Sequence, residues 1–200
     1  MAEDALITKL IDRDALRREM KARRRALPVP EKLGAGAAVA ALLLDFKPVV
    51  EARILAGYWS VGGETPLHAF LPRLPEHTRF HLPRLADDGL LRFAGWQAGE
   101  PLECNRYGIP EPDVALPECQ AADALDVVLV PLLAFDRRGH RLGMGAGWYD
   151  RTFAARRSHA APPLLIGVGY AFQEVGRLDA HALDVALDWV VTENELIPCR

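Results

Sequence analysis

An α/β architecture is expected: a single three-layer α/β/α domain around a mostly parallel central sheet. Three features of the sequence lead there. Residues 127–130 and 164–170 are short aliphatic runs, VVLV and LLIGVGY, of the kind that forms strands covered on both faces. Strand-like runs alternate with helical segments, as crossovers between parallel strands require. No internal repeat or low-complexity linker divides the 200 residues, so 1–200 read as one domain, with 1–27 as a basic helix packed on it.

Taken in order, Leu10, Ile11, Leu16 and Met20 recur at helical intervals and predict an amphipathic helix over residues 7–27, ended by Leu27-Pro28. Lys21, Arg23, Arg24 and Arg25 read as a solvated basic end favourable to the helix dipole, and no chemistry is assigned to them. The alanine- and leucine-rich residues 31–46 predict a second helix, stopped by Pro48. Residues 53–59 (RILAGYW) predict a strand that runs into the turn 60–64. Thr65-Pro66 is expected to open a helix to residue 74, with Glu64 as its N-terminal carboxylate. Residues 79–85 and 91–96 predict two strands joined at Asp87-Asp88-Gly89. Residues 97–118 predict an ordered loop, in which Asn105 and Tyr107 are site candidates beside a reading as a structural clasp. A last strand is predicted over 187–191.

Half of the residues are hydrophobic, enough for a core that needs no covalent staples. A formal charge of −3 argues against a general nucleic-acid binder and points to small-molecule partners. Cys104, Cys119 and Cys199 are odd in number and lack C-x-x-C spacing, so neither a disulfide framework nor a zinc site is indicated, and a reducing cytoplasm is the expected setting. The first ten residues carry no targeting pattern, and no apolar run approaches membrane-spanning length. A monomer is expected. Of the six histidines only His77 and His81 are four apart, in a strand-like stretch and without an H-E-x-x-H pattern, and all six read as scattered polar or core residues.

The chemistry concentrates after the run 127–131. Gly139, Gly143, Gly145 and Gly147 let several backbone amides face one point, Arg137, Arg138 and Arg141 add positive charge, and a helix expected to open at Tyr149-Asp150 and run to Ala155 would add its dipole. This reads as a polyphosphate site. It is neither a Walker A loop nor the dinucleotide fingerprint, because the lysine of the first and the spacing of the second are missing.

RLGMGAGWYD, residues 141–150, closely resembles the RLGRGGGYYD signature of the 5-formyltetrahydrofolate cyclo-ligases. The resemblance extends to the basic N-terminal helix with Leu16-Arg17, GYWSVGGE at 57–64, NRYGIPEP at 105–112 and LDVALDWVVTE at 183–193. Met144 stands where many members carry arginine, and Trp148 where they carry tyrosine. Arg13 and Arg17 match the family's K-x-x-L-R element, with Arg13 at the lysine position.

The resemblance implies an ATP- and Mg2+-dependent cyclisation of 5-formyltetrahydrofolate to 5,10-methenyltetrahydrofolate, with ATP as co-substrate. It implies nucleotide contacts from Arg13, Arg17, Arg141, Leu142, Gly143, Met144, Gly145, Ala146, Gly147, Trp148 and Tyr149. Folate contacts are implied for Trp59, Glu64, Met144 and Trp148, metal ligation for Asp150 and Asp184, and roles at the reacting groups for Arg141, Tyr149 and Asp150. A carboxylate suits the donor nitrogens of a pterin and an aromatic wall suits its flat ring. Two other readings stay open: a sugar-phosphate or acyl-CoA enzyme of similar layering, and a folate- or nucleotide-binding paralogue without turnover, which the lost cation at Met144 motivates.

Overall fold

The computed structural model describes residues 12–199. It begins at Asp12, whose side chain accepts the N–H groups of Asp14 and Ala15 and so caps α1 (Arg13–Ala26). The part of the expected N-terminal helix before Asp12 lies outside the described residues. After Pro28, α2 (Val29–Asp45) follows, and Pro48 opens the one-turn α3 (Lys47–Val50) where it was expected only to stop a helix.

Four short strands, β1 (Ile54–Ala56), β2 (Arg79–Leu85), β3 (Leu91–Gly95) and β6 (Val127–Pro131), build one half of a seven-stranded sheet. Its other half is β9 (Leu164–Val168), β10 (Trp189–Val191) and β11 (Leu196–Pro198). The order is β11-β10-β9-β6-β1-β2-β3, with the inner five strands parallel and the two edges antiparallel. Two small ribbons stand outside it. β4 (Leu102–Cys104) pairs with β5 (Pro110–Pro112), and β7 (Ala134–Phe135) with β8 (Arg141–Leu142). The helix α4 (Trp148–Thr152) completes the inventory of α-helices among the described residues.

Side chains alternate between the two faces of the sheet. Leu55, Val127, Leu129, Ile166, Val168 and Val191 pack with Val39 and Leu43 of α2, whereas Ala56, Val128, Val130, Leu165 and Val190 pack with Phe153, Val185 and Leu187. Both faces are thus covered, which is why the central strands read as unbroken apolar runs. A fully buried side chain such as Leu129 contributes about 1.5–3 kcal/mol by leaving water.

The helix expected over 65–74 does not form; only Leu71–Arg73 makes a single 3-10 turn. The Thr65 carbonyl is taken by the Tyr58 and Ser60 hydroxyls, and Pro72 has no N–H to give. The strand expected over 53–59 is confined to β1. Among the described residues, no single helix is long and apolar enough to cross a membrane.

Candidate active site

The C-terminal ends of the parallel strands gather the polar groups. The segment after β6 folds back as the β7–β8 hairpin, then loops through residues 143–147 into α4. Gly147 precedes α4 at φ 68°, a left-handed conformation that a side chain would strain. Met144, Gly145 and Ala146 are exposed, while Leu142 is fully buried beside Met20, Leu133 and Leu178. Leu142 therefore has only its backbone to offer a ligand. The helix after the loop has five residues rather than the longer one expected to Ala155, so its dipole adds little.

Three residues expected to line a phosphate site do not. Gly139 lies in the β7–β8 turn, Arg138 is paired with the buried Asp136 at 2.7 Å, and Arg137 is paired with Glu174 and Glu195 at 2.7 and 2.6 Å. The D-R-R-G pattern of residues 136–139 is turn chemistry, with Asp136 Oδ1 accepting the Arg138 and His140 N–H groups.

The remaining loop residues are tied into one network. Arg141 donates to Asp150 Oδ1 at 2.6 Å and to the carbonyl of Val185. The Val185 N–H donates to the same Asp150 oxygen at 3.0 Å. Asp184, adjacent in sequence, accepts the His181 N–H at 3.0 Å and lies 3.4 Å from Arg13. Arg17, one helical turn along α1, donates to the Gly143 carbonyl at 3.1 Å. Arg13, Arg17, Arg141, Asp150 and Asp184 thus form a continuous belt around the glycine loop. Among the described residues, Asp150 Oδ2 and Asp184 Oδ1 accept no hydrogen bond, and no group of three or more His, Cys, Asp or Glu side chains could hold a metal by itself. Two neighbouring carboxylates with an oxygen to spare fit a magnesium ion that draws its other ligands from phosphate and water.

Glu64 lies in the turn after β1, its N–H donating to the Val61 carbonyl. Its side chain is 10% exposed, its Oε2 accepts the Val61 N–H at 3.1 Å, and its Oε1 is 3.7 Å from Arg24. Burial pushes its pKa up, opposed by the Arg24 charge and the Val61 N–H. Burial likewise raises the Tyr149 phenol, to which Glu64 adds and which Arg141 opposes. The charges of Glu64 and Arg141 thus both act on the Tyr149 phenol. Trp59 is exposed and meets Trp96 edge-on at 5.6 Å.

Two groups were missed by sequence reasoning. Arg24 was read as part of a solvated helix end, yet it is 2% exposed. Arg106, in the β4–β5 turn, and Arg151, on α4 itself, lie 5.3 and 5.0 Å from the centre of the Trp148 ring. Asn105 proves to be the clasp of the β4–β5 turn, accepting the Tyr107 and Ile109 N–H groups and donating to Glu111. Tyr107 at the turn's tip is exposed.

An open, mostly parallel sheet with charged and aromatic groups collected at its C-terminal edge is the architecture of an α/β enzyme. Residues 10–193 match the model of the 5-formyltetrahydrofolate cyclo-ligase family. The 5-formyltetrahydrofolate cyclo-ligase of Escherichia coli (strain K12) is 32% identical over 180 residues, 88% of this chain and 98% of that protein. The enzyme of the same name from Haemophilus influenzae is 33% identical over 140 residues, 68% of this chain and 74% of its own length. The solution structure of 5,10-methenyltetrahydrofolate synthetase from Aquifex aeolicus superposes with a TM-score of 0.80 at 27% identity, covering 95% of this chain and 94% of that one. The chain belongs to the 5-formyltetrahydrofolate cyclo-ligase family.

Proposed function

We propose that this chain converts 5-formyltetrahydrofolate to 5,10-methenyltetrahydrofolate, consuming ATP and releasing ADP and phosphate. The observation that carries the reading is the belt from Arg13 to Asp184, which ties the family's signature segment to α1 and to the residues before β10. A formyl oxygen is a poor leaving group, so it is first phosphorylated by the γ-phosphoryl of ATP. N10 of the folate then attacks the formyl carbon, its proton passes to solvent, the C–O bond breaks and phosphate departs with the former formyl oxygen.

The protein's part is alignment and charge rather than covalent chemistry. Backbone amides of residues 143–147, with Arg17 and Arg13, hold the phosphates. Arg141 keeps Asp150 in register, and Asp150 with Asp184 would hold magnesium. That ion, when bound, would neutralise charge on the phosphates during transfer. Glu64 accepts from the pterin, Trp59, Trp148 and Met144 wall its ring, and Tyr149 spans both halves.

A binding protein without turnover is the second reading, favoured by Met144, which is 57% exposed where many family members carry a cation. Absorbance of the methenyl product, followed with 5-formyltetrahydrofolate in the presence and absence of ATP and magnesium, separates the two. Product only when all three are present supports catalysis, and calorimetric binding of both ligands without product supports the second reading.

A further inference from the structure

Arg24 has no part in the chemistry just described, yet it is more deeply buried than Arg141. It lies on one face of α1 with Arg13, Arg17 and Met20, positions that the helical repeat brings into line. Its guanidinium donates to the Leu132 carbonyl at 3.2 Å, just beyond β6, and stands 3.7 Å from Glu64. The backbone takes part as well. A Cβ at Gly63 would come within 2.8 Å of the Arg24 carbonyl, so glycine lets the turn that carries Glu64 lie against the helix. Among the described residues, the titratable groups coupled electrostatically to Glu64 are Arg24 from α1, Tyr58 after β1, Tyr149 in α4 and Tyr170 after β9. Arg24 is the cation in this set, and the three phenols cannot replace its charge.

We propose that Arg24 is a positioning residue for the folate half of the site: it aims Glu64 as a hydrogen-bond acceptor and ties that carboxylate to the helix that bears Arg13 and Arg17. The proposal rests on the reading of Glu64 as a folate ligand. A pterin needs both carboxylate oxygens as acceptors, and a protonated acid would present one of them as a donor. Burial favours that protonated form, and the guanidinium opposes it. Nucleotide and folate residues would then share one rigid element, so loosening the helix at Arg24 changes the folate side first.

The test uses Arg24→Met, Arg24→Lys and Glu64→Gln in the full chain, with titration calorimetry of 5-formyltetrahydrofolate and, separately, of ATP with magnesium, from about pH 5 to about pH 8. Arg24→Met is expected to weaken folate binding roughly tenfold or more while ATP binding changes less than about twofold. Folate affinity should also fall off at higher pH in Arg24→Met than in the parent chain, and this dependence should vanish in Glu64→Gln. Arg24→Lys restores charge without the planar fork and should recover part of the loss. Should Arg24→Met fail to fold, the same comparison is read from Arg24→Lys, with a smaller loss confined to folate. Equal losses for both ligands, or an unshifted pH profile, would overturn the positioning role while leaving Glu64 a ligand. Folate binding unchanged in Glu64→Gln would overturn both.

Discussion

Arg141 grips Asp150 at 2.6 Å while its second terminal nitrogen holds the Val185 carbonyl. One guanidinium thereby joins β8, α4 and the segment that carries Asp184. The spacing between the two carboxylates is set by protein contacts before any ligand arrives, and preorganisation of this kind lets a binding site spend little on rearrangement.

Asp150→Asn keeps an oxygen for the Val185 N–H and removes the charge that pairs with Arg141. Methenyl formation is expected to fall by about 100-fold, with loss of its response to added magnesium. Steady-state rates across a magnesium titration check this. Parent-like rates at saturating metal would remove Asp150 from the mechanism.

Met144→Arg places a cation on an exposed position of the loop. The variant is expected to bind ATP about fivefold more tightly, with a salt-sensitive gain, because a charged donor to phosphate is stronger than a neutral contact. Calorimetry at two salt concentrations reads the change. An unchanged affinity would mean that residue 144 does not face the phosphates.

The legibility of the chain follows from how each element is stabilised. β6 and β9 could be read from sequence because burial on both faces leaves an uninterrupted apolar run. The signature segment was legible as a loop because its glycines sit between a strand and a helix. Arg24 was not, because an arginine among arginines near a helix end looks solvated until a turn some forty residues later packs over it. Arg137 and Arg138 were assigned to the loop for the converse reason. The acidic partners of Arg137, Glu174 and Glu195, are distant in sequence, and the turn role of Asp136, which pairs with Arg138, emerges only in the folded hairpin.

Asp136 is a stability determinant of that hairpin. Its side chain is 1% exposed; burial raises its pKa, but the Leu178 and His140 N–H groups, the Arg138 guanidinium and the His140 ring outweigh burial, and the net shift is downward. A carboxylate depressed in the folded state contributes fully above its unfolded value, about 3.9, and the contribution is lost as pH falls through the lower folded value. Asp136→Asn is therefore expected to cost about 2–4 kcal/mol at neutral pH and to lose less than the parent on acidification below about pH 4. Urea unfolding at both pH values measures the difference. Equal stability of variant and parent at neutral pH would contradict it.

The central claim is that a phosphoryl group is delivered to the formyl oxygen beside residues 141–150. Oxygen-18 placed in the formyl group of the substrate follows that oxygen directly. One labelled oxygen is expected in the inorganic phosphate released at each turnover, with ADP unlabelled. Label appearing in water, with unlabelled phosphate, would contradict it.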